Sequence, residues 1–113
     1  MADRVMHPGL SAERWQALSL HEQLGNVGTE VARAARAKAT ANGERLSFAL
    51  DRARELFAFT LADERWRGPR RREIARAREV VCDFLVGENE YGSTAASLDA
   101  YFLSYAVAGR HSR

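Results

Sequence analysis

Seven arginines fall within fourteen residues, at Arg65, Arg67, Arg70, Arg71, Arg72, Arg76 and Arg78, with Glu73 the one acid among them. This segment carries +6 in a chain whose formal charge is +2, so the remaining residues sum to −4. A guanidinium group pairs with phosphate through forked hydrogen bonds, and such a concentration suits contact with a polyanion. Gly68-Pro69 lies inside the segment and predicts a helix start, because proline has no N–H to donate and fits the first helical position. Arg70, Arg71 and Arg72 then occupy a first turn whose dipole disfavours cations by about 0.3–1 kcal/mol each. A bound phosphate would reverse that cost, so nucleic acid, RNA or DNA, is the leading expected partner. Two other readings stand beside it. Asp63, Glu64, Glu73 and Glu79 could neutralise the arginines as a solvated network, or the segment could face a protein. Trp66, between Arg65 and Arg67, could stack on a base or pack against a bundle end.

The residue types needed for metal, cofactor or nucleophilic chemistry are sparse. His7, His21 and His111 have no glutamate three positions before them and lie near segment ends, so no di-iron pattern forms. Cys82 is the only cysteine, too few for a zinc site, and its mid-helix position reads as packing. Gly25-x-x-Gly28 is not followed by the Lys-Ser/Thr of a phosphate-binding loop. No metal, cofactor or catalytic residue is therefore expected. Arg14 and His21, six residues apart in the intervening sequence, resemble the Arg–His pair of the small helical ribonucleases called HEPN domains. That resemblance implies binding and cleavage of RNA by the pair. Two departures stand against it: Trp15 follows Arg14 where the family favours a polar residue, and the pair straddles Ser19.

The elements that would carry these residues are helical throughout. The chain has 113 residues, 46% hydrophobic and 28% charged, the size and composition of one globular domain. A single cysteine excludes an internal disulfide and suggests a reducing compartment. No apolar run reaches the roughly 18–20 residues of a membrane span and no signal-like segment opens the chain, so the expectation is a cytoplasmic protein with no membrane partner.

Residues 1–10 read as an irregular lead-in. Ser11 can cap a short helix carrying Trp15 and Leu18 across the bundle end. Ser19-Leu20-His21-Glu22 has the form of a capping box, opening a long helix with Leu20, Leu24, Val27, Val31 and Ala34 inward and a stop at Asn42-Gly43. Glu44 to about Trp66 forms the second long helix, with Leu46, Leu50, Ala53, Leu56, Phe57 and Leu61 inward and Phe48 and Phe59 extending that face. Pro69 to about Val86 forms the third, using Ile74, Ala77, Val81, Phe84 and Leu85, and Gly87 ends it. After the polar loop Gly87–Ser93, which holds Asn89-Glu90-Tyr91, Ser93 or Thr94 caps a fourth helix. That helix carries Leu98, Tyr101, Phe102 and Tyr105 to Gly109, before a frayed 110–113 tail. Four amphipathic helices with short connections predict an all-α, antiparallel up-down four-helix bundle with an extra N-terminal helix.

Two further patterns bear on partners. Gly25, Gly28, Ala32, Ala35 and Ala39 form a stripe of small residues on the first long helix, where another backbone can approach closely. The approaching element is either a helix of the same chain or a second subunit, which would make the protein a homo-oligomer. Glu30, Asp51, Arg54, Glu55, Arg76, Arg78, Glu79 and Asp83 could form ion pairs between helices.

Trp15-x-x-Leu18-Ser19-Leu20-x-Glu22-Gln23-Leu24-Gly25-Asn26-x-Gly28-x-Glu30, Arg76-x-Arg78-Glu79-x-x-Cys82-Asp83 and Asn89-Glu90-Tyr91 resemble patterns in a group of small uncharacterised bacterial four-helix-bundle proteins. In architecture the chain is also similar to the proteins encoded in ribosomal-RNA intervening sequences and to the Avd-type accessory proteins of diversity-generating retroelements. Avd-type proteins form ring-like oligomers and offer basic surfaces to nucleic acid and a reverse transcriptase. The resemblance implies self-association and a basic nucleic-acid surface; it rests on size, helix count and charge, so no family residue transfers to this chain.

Overall fold

Ser19 sets the frame of the longest helix. Its hydroxyl accepts from the Glu22 backbone N–H at 3.1 Å while the Glu22 carboxylate accepts from the Ser19 N–H at 2.9 Å, the reciprocal box its sequence predicts. A computed structural model describes residues 11–111, with side chains through residue 107. Helix α1 spans Ala12–Gln16, α2 Leu20–Ala39, α3 Gly43–Leu61, α4 Pro69–Val86 and α5 Ala95–His111, with a 3₁₀ turn at Glu64–Trp66. The described residues are all-α, with no strand among them. The expected lead-in at 1–10 lies outside the described residues. Arg110 and His111, expected in a frayed tail, continue α5.

Three boundaries depart from the sequence reading. Asn42-Gly43 does not end α2 but begins α3, with the Asn42 side chain accepting from the Arg45 N–H at 3.0 Å. The left-handed position that closes α2 falls on Ala41, at φ 55°. Around it the Asn42 N–H bonds the Ala37 carbonyl and the Ala41 N–H bonds the Lys38 carbonyl, the two bonds of a Schellman stop. Helix α3 ends at Leu61 instead of near Trp66, because Asp63 turns extended and its carboxylate caps the 3₁₀ turn. Gly68, at φ 85°, and Pro69 then start α4 as expected.

Buried side chains form one connected cluster that includes Leu24, Val27, Val31, Ala53, Phe57, Ile74, Val81, Leu85 and Phe102. Helix α2 runs through its middle, packing against α3 on one side and α5 on another, while α4 packs mainly on α3. Between α4 and α5 lies an open groove of about 350 Å³ that Val80, Leu98 and Tyr101 help line. Phe48, expected to extend the inward face of α3, instead stands 48% exposed.

The small-residue stripe receives α5 of the same chain. A methyl group added to Gly28 would sit 2.4 Å from Phe102 Cβ, whereas one on Gly25 would meet Ala106 Cβ at 3.4 Å. Ala35 is buried, Ala32 half-buried and Ala39 exposed. The two glycines therefore separate helix propensity from packing. Gly28→Ala should destabilise the fold by roughly 1–3 kcal/mol through overpacking against Phe102. Gly25→Ala, gaining up to about 1 kcal/mol of helix propensity with room for its methyl, should be neutral or stabilising. Urea denaturation of both variants reads the difference, and equal midpoints would contradict the close approach of α5.

Candidate nucleic-acid interface

The arginine segment begins beside a buried polar knot. Asp63 is 1% exposed and Gln23 and Thr60 are fully buried, three polar side chains in an otherwise apolar cluster. Burying such groups is costly unless every one is bonded, and here each is. Trp15 Nε1 donates to Thr60 Oγ1 at 2.9 Å, and the Thr60 hydroxyl donates to the Leu56 carbonyl. The Gln23 amide donates to the Trp15 carbonyl at 2.9 Å and to Asp63 Oδ2 at 3.0 Å. Its own carbonyl accepts from Trp66 Nε1 at 2.8 Å. Arg65 completes the knot: Nη2 donates to Asp63 Oδ2 and to the Leu18 carbonyl, both at 2.7 Å, and Nε donates to Asp63 Oδ1 at 3.0 Å.

This knot decides the fate of two residues that the sequence leaves open. Arg65 lies on its own Asp63 and on the turn after α1, and its guanidinium stacks over the Trp66 ring at 4.4 Å. Trp66 is half-buried with its indole N–H committed to Gln23. Both are tied by bonds within the chain, Arg65 to Asp63 and Trp66 to Gln23. No local pattern marks Gln23 or Thr60 as buried; their burial is set by partners forty or more positions away.

Beyond Arg65 the remaining six arginines divide. Arg67 bonds Glu64, and Arg71 lies 3.7 Å from the other oxygen of the same carboxylate. The Arg71 Nε is buried with no hydrogen-bond partner. The other two acids in the neighbourhood are taken by tyrosines: Tyr105 OH donates to Glu73 at 3.0 Å and Tyr91 OH donates to Glu79 at 2.7 Å. Burial, with Tyr101 and Glu73 beside it, pushes the Tyr105 hydroxyl well above the usual tyrosine range, so it stays a donor. Arg70, Arg72, Arg76 and Arg78 are left with no carboxylate within ion-pair distance among the described residues. Arg76 instead lies over the Tyr91 ring at 5.8 Å.

These four do not share one face. At about 100° per residue, Arg72 and Arg76 fall within about 40° of each other on the side opposite Ile74 and Val81, while Arg70 and Arg78 border the Ile74–Val81 stripe itself, roughly 120–160° away from that pair. All four are exposed. Helix α4 has no side-chain cap at Gly68, so its first-turn N–H groups point outward beside Arg70 and Arg72.

Elsewhere the candidates resolve as follows. Arg14 is on α1 and His21 on α2, with the His21 ring 5.9 Å from that of Tyr105, so the pair sits on separate helices. Cys82 is half-buried against the core. The Asn89-Glu90-Tyr91 loop is fixed by Asp83, whose carboxylate accepts the N–H groups of Glu90 and Tyr91. Among the described residues, no group of three His, Cys, Asp or Glu side chains could hold a metal ion, and no helix is long and apolar enough to cross a membrane. Compared with protein-family models, curated proteins and solved structures, the chain has no match.

The Arg65 guanidinium, helped by Gln23 and the Arg65 N–H, outweighs burial and holds the Asp63 carboxyl down at about 2. Its folded value lies below the unfolded value near 3.8. The stability this provides is therefore complete above about pH 4 and is lost as pH falls toward 2. Asp63→Asn should lower stability at pH 7 by about 1–3 kcal/mol, because one of the two acceptor oxygens becomes an NH2 donor facing the donors of Arg65 and Gln23. It should also flatten the decline in melting temperature between pH 4 and pH 2. Thermal melts across that range would test it, and an unchanged acid slope in Asp63→Asn would remove Asp63 as its source.

Proposed function

We propose that this chain is a non-enzymatic, self-associating bundle protein that contacts nucleic acid through the arginines of α4. One observation carries the reading: Glu73 and Glu79, the acids set among the α4 arginines, are hydrogen-bonded to tyrosine hydroxyls and tether no guanidinium, so Arg70, Arg72, Arg76 and Arg78 are exposed with no carboxylate within ion-pair distance among the described residues. Untethered guanidinium groups, Arg72 and Arg76 one turn apart on the outer face and Arg70 and Arg78 beside the buried stripe, suit the repeating phosphates of a strand that follows the helix surface, contacts which give affinity without sequence preference. Arg67 and Arg71, sharing Glu64, flank them. The α2–α3 turn of Thr40 to Asn42 and the extensive packing of α2 on α3 support an antiparallel up-down arrangement for the four long helices. The resemblance to small bacterial bundle proteins and to Avd-type proteins fits the same reading, within a reducing cytoplasm.

Self-association has a surface in α5. Between Ala95 and Val107 this helix carries one charged residue, Asp99, and it exposes Leu103 at 57% and Val107 at 37%. A helix apolar on nearly all sides is one that is covered on nearly all sides. Since α5 already covers Gly25 and Gly28, the faces left for a second copy are Leu103 with Val107 on α5 and Ala32 with Ala39 on α2.

Titrating a short fluorescent RNA, and the matching DNA, by anisotropy at several salt concentrations tests the first part. Affinity should fall steeply with salt, and replacing Arg70, Arg72, Arg76 and Arg78 by alanine should reduce the slope of log K against log salt by about 3 for a single strand. An unchanged slope in the folded variant would remove the assignment. Leu103→Glu should shift the native mass toward the monomer in sedimentation while leaving the melting temperature nearly unchanged; a monomeric parent protein would end the self-association reading.

A further inference from the structure

At the other end of α3 lies a second basic feature. The C-terminal half of α2 and the N-terminal half of α3 enclose an open groove of about 870 Å³, within the size range of small-molecule sites. Its lining includes Glu30, Arg33, Arg36, Arg45, Phe48 and Arg52, with Glu44 also present. Four arginines against two glutamates give it a local charge of +2.

The groove is organised by a buried acid. Glu30, 4% exposed, accepts from Arg33 Nη1 at 3.2 Å on both oxygens and from Arg52 Nε at 3.1 Å, with Arg52 Nη2 2.9 Å away as an ion pair. Arg33 and Arg52 are thereby held in place, one from each helix, with guanidinium donors to spare. Arg36 and Arg45 have no acid within ion-pair distance among the described residues, so their charge is uncompensated. Phe48 presents a half-exposed ring beside them, with the Arg52 guanidinium 5.6 Å from its centroid.

We infer that this groove binds a nucleotide unit, with Arg36 and Arg45 on its phosphates and Phe48 stacked on its base. Guanidinium forks with donors to spare recognise phosphate, and an exposed aromatic ring among cations recognises a planar base. A plain anion would leave Phe48 uncovered. An uncharged aromatic would leave Arg36 and Arg45 unpaired. A nucleotide satisfies both. The site is distinct from the α4 arginines: the length of α3 places it on the order of 25 Å away along the bundle.

The test is equilibrium titration at low ionic strength with ATP, tripolyphosphate and a short oligoadenylate. The proteins are the parent chain, Arg36→Ala with Arg45→Ala, Phe48→Ala, and the α4 quadruple alanine variant. Saturable ATP or oligoadenylate binding is expected, weakened at least tenfold in the double arginine variant, because each charge-assisted bond contributes a factor of about ten or more. Phe48→Ala should weaken both base-bearing probes and leave tripolyphosphate unchanged, and the α4 variant should keep ATP affinity. Tighter binding of ATP than of oligoadenylate identifies a free nucleotide, and the reverse a nucleotide within a strand. No saturable binding of either probe overturns the inference. So does indifference to Phe48, or loss of ATP binding in the α4 variant alone. Because the variants at the two ends are separate, either site can fail without the other.

Discussion

A carboxylate almost wholly withdrawn from water, that of Asp63, is the constraint on which one end of this molecule depends. An unpaired buried charge would cost several kcal/mol, so the surroundings must supply donors in fixed positions. Arg65 supplies its fork, Gln23 its amide and the 3₁₀ turn a backbone N–H. Each donor has further duties. Arg65 also holds the Leu18 carbonyl, and Gln23 joins the Trp15 carbonyl to the Trp66 indole. One charge thus ties α1, α2, the end of α3 and the 3₁₀ turn together. It also sets the direction in which the chain leaves toward Gly68 and α4.

The placement of the remaining charge follows from that geometry. Once Asp63 takes Arg65 and Glu64 takes Arg67 and Arg71, the acids further along α4 are the only neutralising groups on that helix near Arg70 to Arg78. Glu73 and Glu79 are bonded instead by tyrosines from α5 and from the α4–α5 loop. A phenol hydroxyl satisfies a carboxylate lone pair without cancelling its charge, so the local field is still reduced, but no guanidinium is tethered. Among the described residues, Arg70, Arg72, Arg76 and Arg78 have no ion pair with a carboxylate. At the far end the logic differs: Glu30 tethers two arginines without consuming all their donors, while Arg36 and Arg45 have no ion pair among the described residues.

The contact of α5 with α2 is a matter of volume. Phe102 fits against the backbone at Gly28 because no Cβ stands there, and its ring meets Phe57 and Tyr101 edge-on. That close seating turns Leu98 and Phe102 inward and leaves Leu103 and Val107 outward on a helix almost without charge. Packing on one side thereby creates the apolar surface on the other.

Much of the fold was legible locally. The Ser19–Glu22 box, Gly68-Pro69, the cap at Thr94 (one of the two residues expected, accepting from the Ser97 N–H), and the apolar spacing of α2 and α4 act within a few residues, where side-chain chemistry and backbone geometry are set by neighbours in the chain. The density of arginine around α4 is likewise a property of sequence alone. What only the tertiary structure decided was which polar groups meet. Gln23, Thr60 and Asp63 look like ordinary surface residues until Trp15 and Arg65 close over them. The left-handed stop of α2 falls on Ala41, not on the glycine two residues later, because the start of α3 claims Asn42 and Gly43. Which arginines pair and which stay free, and which helix fills the stripe at Gly28, depend on partners tens of residues away. Local patterns specify a helix and its buried face, but the pairing of charges and the fit of volumes exist only once the helices are brought together.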